Sequence, residues 1–211
     1  MNLDLERIFW LAGSPCAGKT TLSQIIADHF KWTIYHCDEW FDRHRQRSTP
    51  EYQPTLYHVS RLQGDDLWLR PVAEQIRTEI DFCVEEFDFV LHDLAELQKQ
   101  SDTPILFEGT PAVPHVLKPL LPGHYHALWL VPTEHFQRHY YAQRPWIHGY
   151  LNQTSAPERA FDNWMARDAG FARWLEHEVA AHHLAWINVD GSLTIEQTAA
   201  LIIEHFSRAE R

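Results

Sequence analysis

Gly13–Thr20 reads GSPCAGKT and fits the spacing G-x-x-x-x-G-K-[ST] at every fixed position. Each fixed residue type has its own chemistry. Gly13 and Gly18 permit a backbone curl whose N–H groups point inward, with no Cβ in the way of an anion. Ser14, Pro15, Cys16 and Ala17 fill the curl, and Thr21 follows it. Lys19 is long enough to reach the β- and γ-phosphates of ATP, and the Thr20 hydroxyl suits Mg²⁺. A helix starting near Lys19 would turn its unpaired N–H groups and positive dipole end toward the same phosphates.

Two acids stand where they can complete such a site. The apolar run Trp32–His36 ends at Cys37-Asp38-Glu39, and Glu108 ends the run Pro104–Phe107. In open α/β sheets ligands bind beyond the carboxyl ends of the strands, so both acids fall on the binding edge. Asp38 reads as a general base for an acceptor hydroxyl or an outer-shell Mg²⁺ group, or else as the N-cap of a helix starting near Trp40. A buried carboxylate needs a partner, which makes Glu108 a candidate metal-side acid; a helix cap is the alternative. Arg138, Arg144 and Arg167 are candidates to stabilise a transferring phosphoryl group, Arg144 first among them.

The elements that must position these residues can be read from periodicity. Five short apolar runs, at 8–12, 32–36, 104–109, 127–131 and 185–189, have the composition of buried parallel strands. Between them, apolar residues at helical spacing predict a helix at 19–30 and a long one from about Pro71 to Leu97. They also predict helices after Thr133, after Pro157, and after the Thr194/Gln197 capping box. Pro71 suits the first turn of its helix. Residues 42–66, with Arg43, Arg45, Arg47 and Arg61, read as a polar loop or a flap over substrate. Residues 145–156 also read as a loop. The pattern predicts one α/β domain over 1–211, with a helical insert at about 40–100 and a helical lid at about 138–168.

Composition narrows the partners. The 211 residues carry 29 acidic and 18 basic side chains, a formal charge of −11, which argues against a duplex nucleic-acid surface. Three cysteines without metal-like spacing suit a reducing cytoplasm better than a disulfide framework. MNLDLER lacks a leader pattern, and no apolar run approaches the ~18 residues of a membrane span. His135 with His139, and the group His177, His182 and His183, lack a metal-ligand pattern. Nine tryptophans are many for this length. Trp40, Trp68, Trp146 and Trp164 lie outside the strands and are candidates for stacking on an acceptor or for packing.

With the loop, the strand-end acids and the arginines in view, the chain resembles small-molecule kinases of the nucleoside-monophosphate-kinase-like superfamily. It looks most like a bacterial branch near shikimate kinase, chloramphenicol phosphotransferase and the zeta-toxin kinases. That resemblance implies a five-stranded parallel sheet in the order 2-3-1-4-5 between helices, with ATP–Mg²⁺ as donor. It also implies that the acid matching Asp38 positions or activates the acceptor hydroxyl. Where shikimate kinases have a glycine-rich third strand end, this chain has Glu108-Gly109-Thr110-Pro111, which argues against shikimate itself.

The expected function is transfer of the γ-phosphoryl of ATP to a hydroxyl of a metabolite, nucleoside or antibiotic by a monomer or homodimer. The rival expectation is an ATP-binding switch with no small-molecule acceptor.

Overall fold

The computed structural model describes residues 3–209; Met1 and Asn2, the start of the stretch read for a leader, lie outside the described residues, as do Glu210 and Arg211. Five strands pair in parallel in the order β2-β3-β1-β4-β5. They are β1 (Ile8–Gly13), β2 (Thr33–His36), β3 (Ile105–Gly109), β4 (Ala127–Pro132) and β5 (Trp186–Val189). This is the α/β architecture expected from the sequence, in the strand order that the family resemblance implies.

Alternation along β1 divides the core in two. Ile8, Trp10 and Ala12 face the long helices α5 (Val72–Gln98) and α9 (Pro157–Ala181), which contribute Phe87, Val90, Leu94, Phe171 and Leu175. Phe9 and Leu11 face α1 (Lys19–Phe30) and α10 (Ile195–Phe206), which contribute Leu22, Ile26, Ile202 and Phe206. Leu11, Leu130 and Phe107 are wholly buried, each contributing roughly 1.5–3 kcal/mol. Register places Glu108 opposite Leu11 on one side and His36 on the other, at the carboxyl ends of the strands.

Two stretches read as loops are helical. Residues 42–66 contain the end of α2 (Cys37–Arg47), then α3 (Pro54–Val59) and α4 (Gly64–Trp68). They are held by distant groups: the Glu85 carboxylate accepts from the Thr55 and Leu56 amides at 3.1 and 2.7 Å, capping α3. Residues 145–156 contain α8 (Ile147–Leu151), whose buried Ile147 and Leu151 join an apolar roof with Trp68, Tyr141 and Trp164. Pro71 precedes α5 as its N-cap rather than lying in its first turn, because its ψ of 131° is extended.

The remaining helices are α6 (Pro114–Leu117) and α7 (Glu134–Tyr141). Thr133 caps α7 by accepting from the Phe136 amide at 3.2 Å, and the Thr194/Gln197 capping box opens α10. No helix among the described residues is long and apolar enough to cross a membrane.

Candidate functional site

The turn from β1 into α1 is built from unusual backbone. Gly13 has φ +142°, and a Cβ there would overlap the Leu130 carbonyl of the neighbouring strand; Gly18 has φ +78°. Cys16 shares the left-handed region at φ 64°, a conformation that costs a non-glycine residue of the order of 1–3 kcal/mol and clusters at ligand clamps. From α7, the Gln137 side-chain amide donates to Ser14 Oγ at 3.2 Å and to the Pro15 carbonyl at 3.0 Å. Gln137 is buried and holds the loop in shape, a role its sequence position did not advertise.

Lys19 is the first residue of α1 and is 8% exposed. Its ammonium donates to the carbonyls of Gly13 and Ser14 at 3.1 and 2.9 Å, lying across the mouth of the turn. One residue on, Thr20 Oγ1 lies 3.5 Å from Glu108 Oε2, which is also 2.9 Å from His36 Nδ1. A hydroxyl and a carboxylate are hard oxygen donors of the kind Mg²⁺ takes alongside phosphate oxygens and water. The donor set therefore fits that ion.

A cavity of about 420 Å³ opens beside this turn. It is lined by Pro15, Cys16, Ala17, Gly18, Lys19, Thr20 and Thr21, together with Asp38, Glu108 and Arg144. Gly13, Ser14, Arg138 and Arg167 are outside its lining. Asp38 lies in the first turn of α2, whose N-cap is His36, so it is not the cap of that helix. Among the described residues its carboxylate has no hydrogen-bond or ion-pair partner.

The three arginines have different surroundings. Arg138 is half-exposed and paired with Asp162 at 2.9 Å on the surface. Arg167 is largely buried beside the stacked Trp68 and Trp164 rings, at 5.3 and 5.9 Å, and pairs with Asp168 at 2.7 Å and Glu79 at 3.4 Å. Burial opposes its charge, but Asp168 and Glu79 outweigh that and raise it further above the guanidinium range. Arg144 lies over Tyr141 at 4.9 Å and Trp146 at 5.8 Å. It has no carboxylate partner among the described residues, so its hydrogen-bond donors are free for a ligand.

The far wall was not legible as a site. Glu79, Cys83 and Glu86 of α5, with Phe41 of α2 and Phe82, line the same cavity. Glu86 Oε1 lies 2.8 Å from His44 Nδ1, and the other ring nitrogen of His44 is 2.8 Å from Asp93 Oδ2. Burial works against a charged His44, but hydrogen bonds to Asp93 and Glu86 raise it above the ordinary histidine value. Cys37, His44 and Glu86 bring ligand-type atoms within 4.8 Å of one another. With both ring nitrogens of His44 already committed to carboxylates, a protonated clamp describes that cluster. The available signal was on α5: Glu79, Glu86 and Asp93 recur every seven residues beside its apolar seam.

The predicted flap also takes a different form. Arg43 lies over Trp40 at 4.6 Å, Arg45 pairs with Asp42 at 3.2 Å, and Arg47 pairs with Asp93 at 3.1 Å. Arg61 lies over Tyr57 at 3.7 Å. None of the four lines the cavity. Of the four tryptophans outside the strands, Trp68 and Trp164 stack on each other at 4.1 Å in the roof. Trp146 alone of the four reaches the cavity. The three cysteines are free thiols, and burial raises those at Cys16 and Cys83 above the ordinary range, so both face the cavity neutral.

No protein-family model matches the chain, and no curated protein matches it. Among solved structures, the crystal structure of TT1252 from Thermus thermophilus is similar. It shows 14% identity and a TM-score of 0.47 over 93% of this chain and 96% of that one.

Proposed function

We propose that this chain is an ATP-dependent phosphotransferase that moves the γ-phosphoryl group to a hydroxyl of a small molecule. The observation that carries it is the convergence of Lys19, Thr20, Glu108, Asp38 and Arg144 on one cavity. These five residues come from four separate parts of the chain, and each has a distinct part in phosphoryl transfer.

The loop amides and the dipole of α1 attract the triphosphate, and Lys19 exchanges its two carbonyl contacts for phosphate oxygens. Thr20 and Glu108 are the residues that would hold Mg²⁺, which supplies neutralisation of phosphate charge when bound. The acceptor hydroxyl oxygen forms the new bond to Pγ as the bond to the β–γ bridging oxygen breaks, leaving ADP. Asp38 takes the hydroxyl proton, for which its unpartnered carboxylate is suited. Arg144 stabilises the charge on the transferring group. Arg167 acts at one remove, by holding Glu79 and Asp168 in place.

Binding of a fluorescent ATP analogue tests the donor half. Lys19→Ala should weaken it while circular dichroism stays unchanged; equal binding by a folded variant would overturn the site.

A further inference from the structure

Resting on the phosphotransferase reading, we propose that the acceptor is a hydroxyl compound carrying a protonated amine, held between Asp38, Glu79 and Glu86 against the Phe41 and Phe82 rings. The cavity has two electrostatically different ends. Its only basic lining residues among those described are Lys19 and Arg144. Lys19 donates to the Gly13 and Ser14 carbonyls of the turn, and Arg144 lies over Tyr141 in the apolar cluster against which Cys16 of the turn packs, so both stand at the phosphate end.

The opposite wall is acidic. Asp38 has no ion-pair partner among the described residues. Glu79 shares Arg167 with Asp168, leaving two carboxylates against one guanidinium. Glu86 is 4% exposed, and only its Oε1 is engaged, by His44; its Oε2 has no hydrogen-bond partner among the described residues. That oxygen is not sealed in the core, so a carboxylate oxygen open to the cavity is left to accept from a donor on the ligand. Burial foremost, with the neighbouring charges of Asp38 and Asp168, raises Glu79; burial foremost, with Asp38, also raises Glu86. An ammonium placed among them relieves both effects.

The aromatic groups agree with this assignment. Phe41 and Phe82 have ring centroids 5.9 Å apart at 37°, and both line the acidic end. Carboxylates beside aromatic faces recognise an amine through charge and cation–π attraction together. An anionic acceptor would face three carboxylates with no basic group at that end. The arginines at 43, 45, 47 and 61, which would have served such an acceptor, are all engaged elsewhere.

The test separates a cell extract at neutral pH into cation-exchanger-bound, neutral and anion-exchanger-bound metabolites. Each pool is incubated with the protein and γ-labelled ATP. Label is expected in a product drawn from the cation-bound pool. Label drawn from the neutral or anionic pool overturns the amine assignment while leaving the phosphotransferase intact; transfer from no pool removes the phosphotransferase reading and the inference with it. For the labelled acceptor, Glu79→Gln keeps an oxygen for Arg167 but loses the charge. KM for the acceptor should rise about tenfold or more with KM for ATP unchanged. An unmoved acceptor KM contradicts the proposal.

Discussion

Lys19 Nζ lies 2.9 Å from the Ser14 carbonyl oxygen, so the ammonium is folded onto its own loop and has backbone, not carboxylate, partners. A lysine with an acidic partner would have to break an ion pair to bind phosphate. Lys19 has only two neutral acceptors to leave. Lys19→Ala is therefore expected to lower transfer by about 10²–10³-fold, measured as steady-state kcat/KM for ATP, with the fold retained.

Gly13 tests whether the turn requires glycine. A Cβ would meet the Leu130 carbonyl, and φ is +142°. Overpacking and backbone strain together predict that Gly13→Ala loses about 2–5 kcal/mol of stability. Urea unfolding measures this; a midpoint equal to wild type would contradict the loop geometry.

The arginines give an internal comparison. Arg144→Ala should lower kcat by about 10³-fold or more, the scale of a cation acting on a transferring phosphoryl group. Arg138→Ala, which breaks the surface pair with Asp162 and the contact with the Phe161 ring, should change it by less than about threefold. Equal losses in both would move the phosphoryl-stabilising role away from Arg144.

His44 predicts a stability effect with a pH signature. Replacing it with Leu leaves Glu86 and Asp93 buried without their shared donor, a loss of about 3–5 kcal/mol. In the folded chain burial opposes the charge of His44, but Asp93 and Glu86 raise its pKa overall. Its contribution is therefore full below the unfolded value and is lost as pH rises through the folded one. Burial works to raise Asp93, but His44 and Arg47 outweigh it and lower the folded value. That contribution is lost as pH falls through the lowered value. The gap between wild type and His44→Leu in chemical unfolding should thus be widest between these two transitions. A pH-independent gap would contradict the charged clamp.

The sheet and its binding edge were legible because their signals are local. Each short apolar run forms a strand, buried at β1, β3 and β4 and only partly covered at the edge strands β2 and β5. Glu108 is the penultimate residue of β3, and Asp38 stands two residues past β2. The short helices were not legible, because their stabilisation comes from far along the chain. Glu85 caps α3, Gln75 donates to the Trp68 and Arg70 carbonyls at the end of α4, and Asp65 of α4 accepts from Ser155 at 2.7 and 2.6 Å. Arg167 shows the same limit at the site. Its position in the chain resembles that of Arg144, but Asp168 and Glu79 capture its guanidinium. Glu79 and Glu86 were hidden behind an apolar seam that explained α5 without them.

The central claim is tested most directly by transfer from γ-labelled ATP, compared between wild type and Asp38→Asn with and without added metabolites. Label entering a small molecule with wild type, and falling at least about 10²-fold with the variant, is the predicted result. Hydrolysis to free phosphate that is equal in both proteins and indifferent to metabolites would contradict it, and would favour a nucleotide-dependent switch.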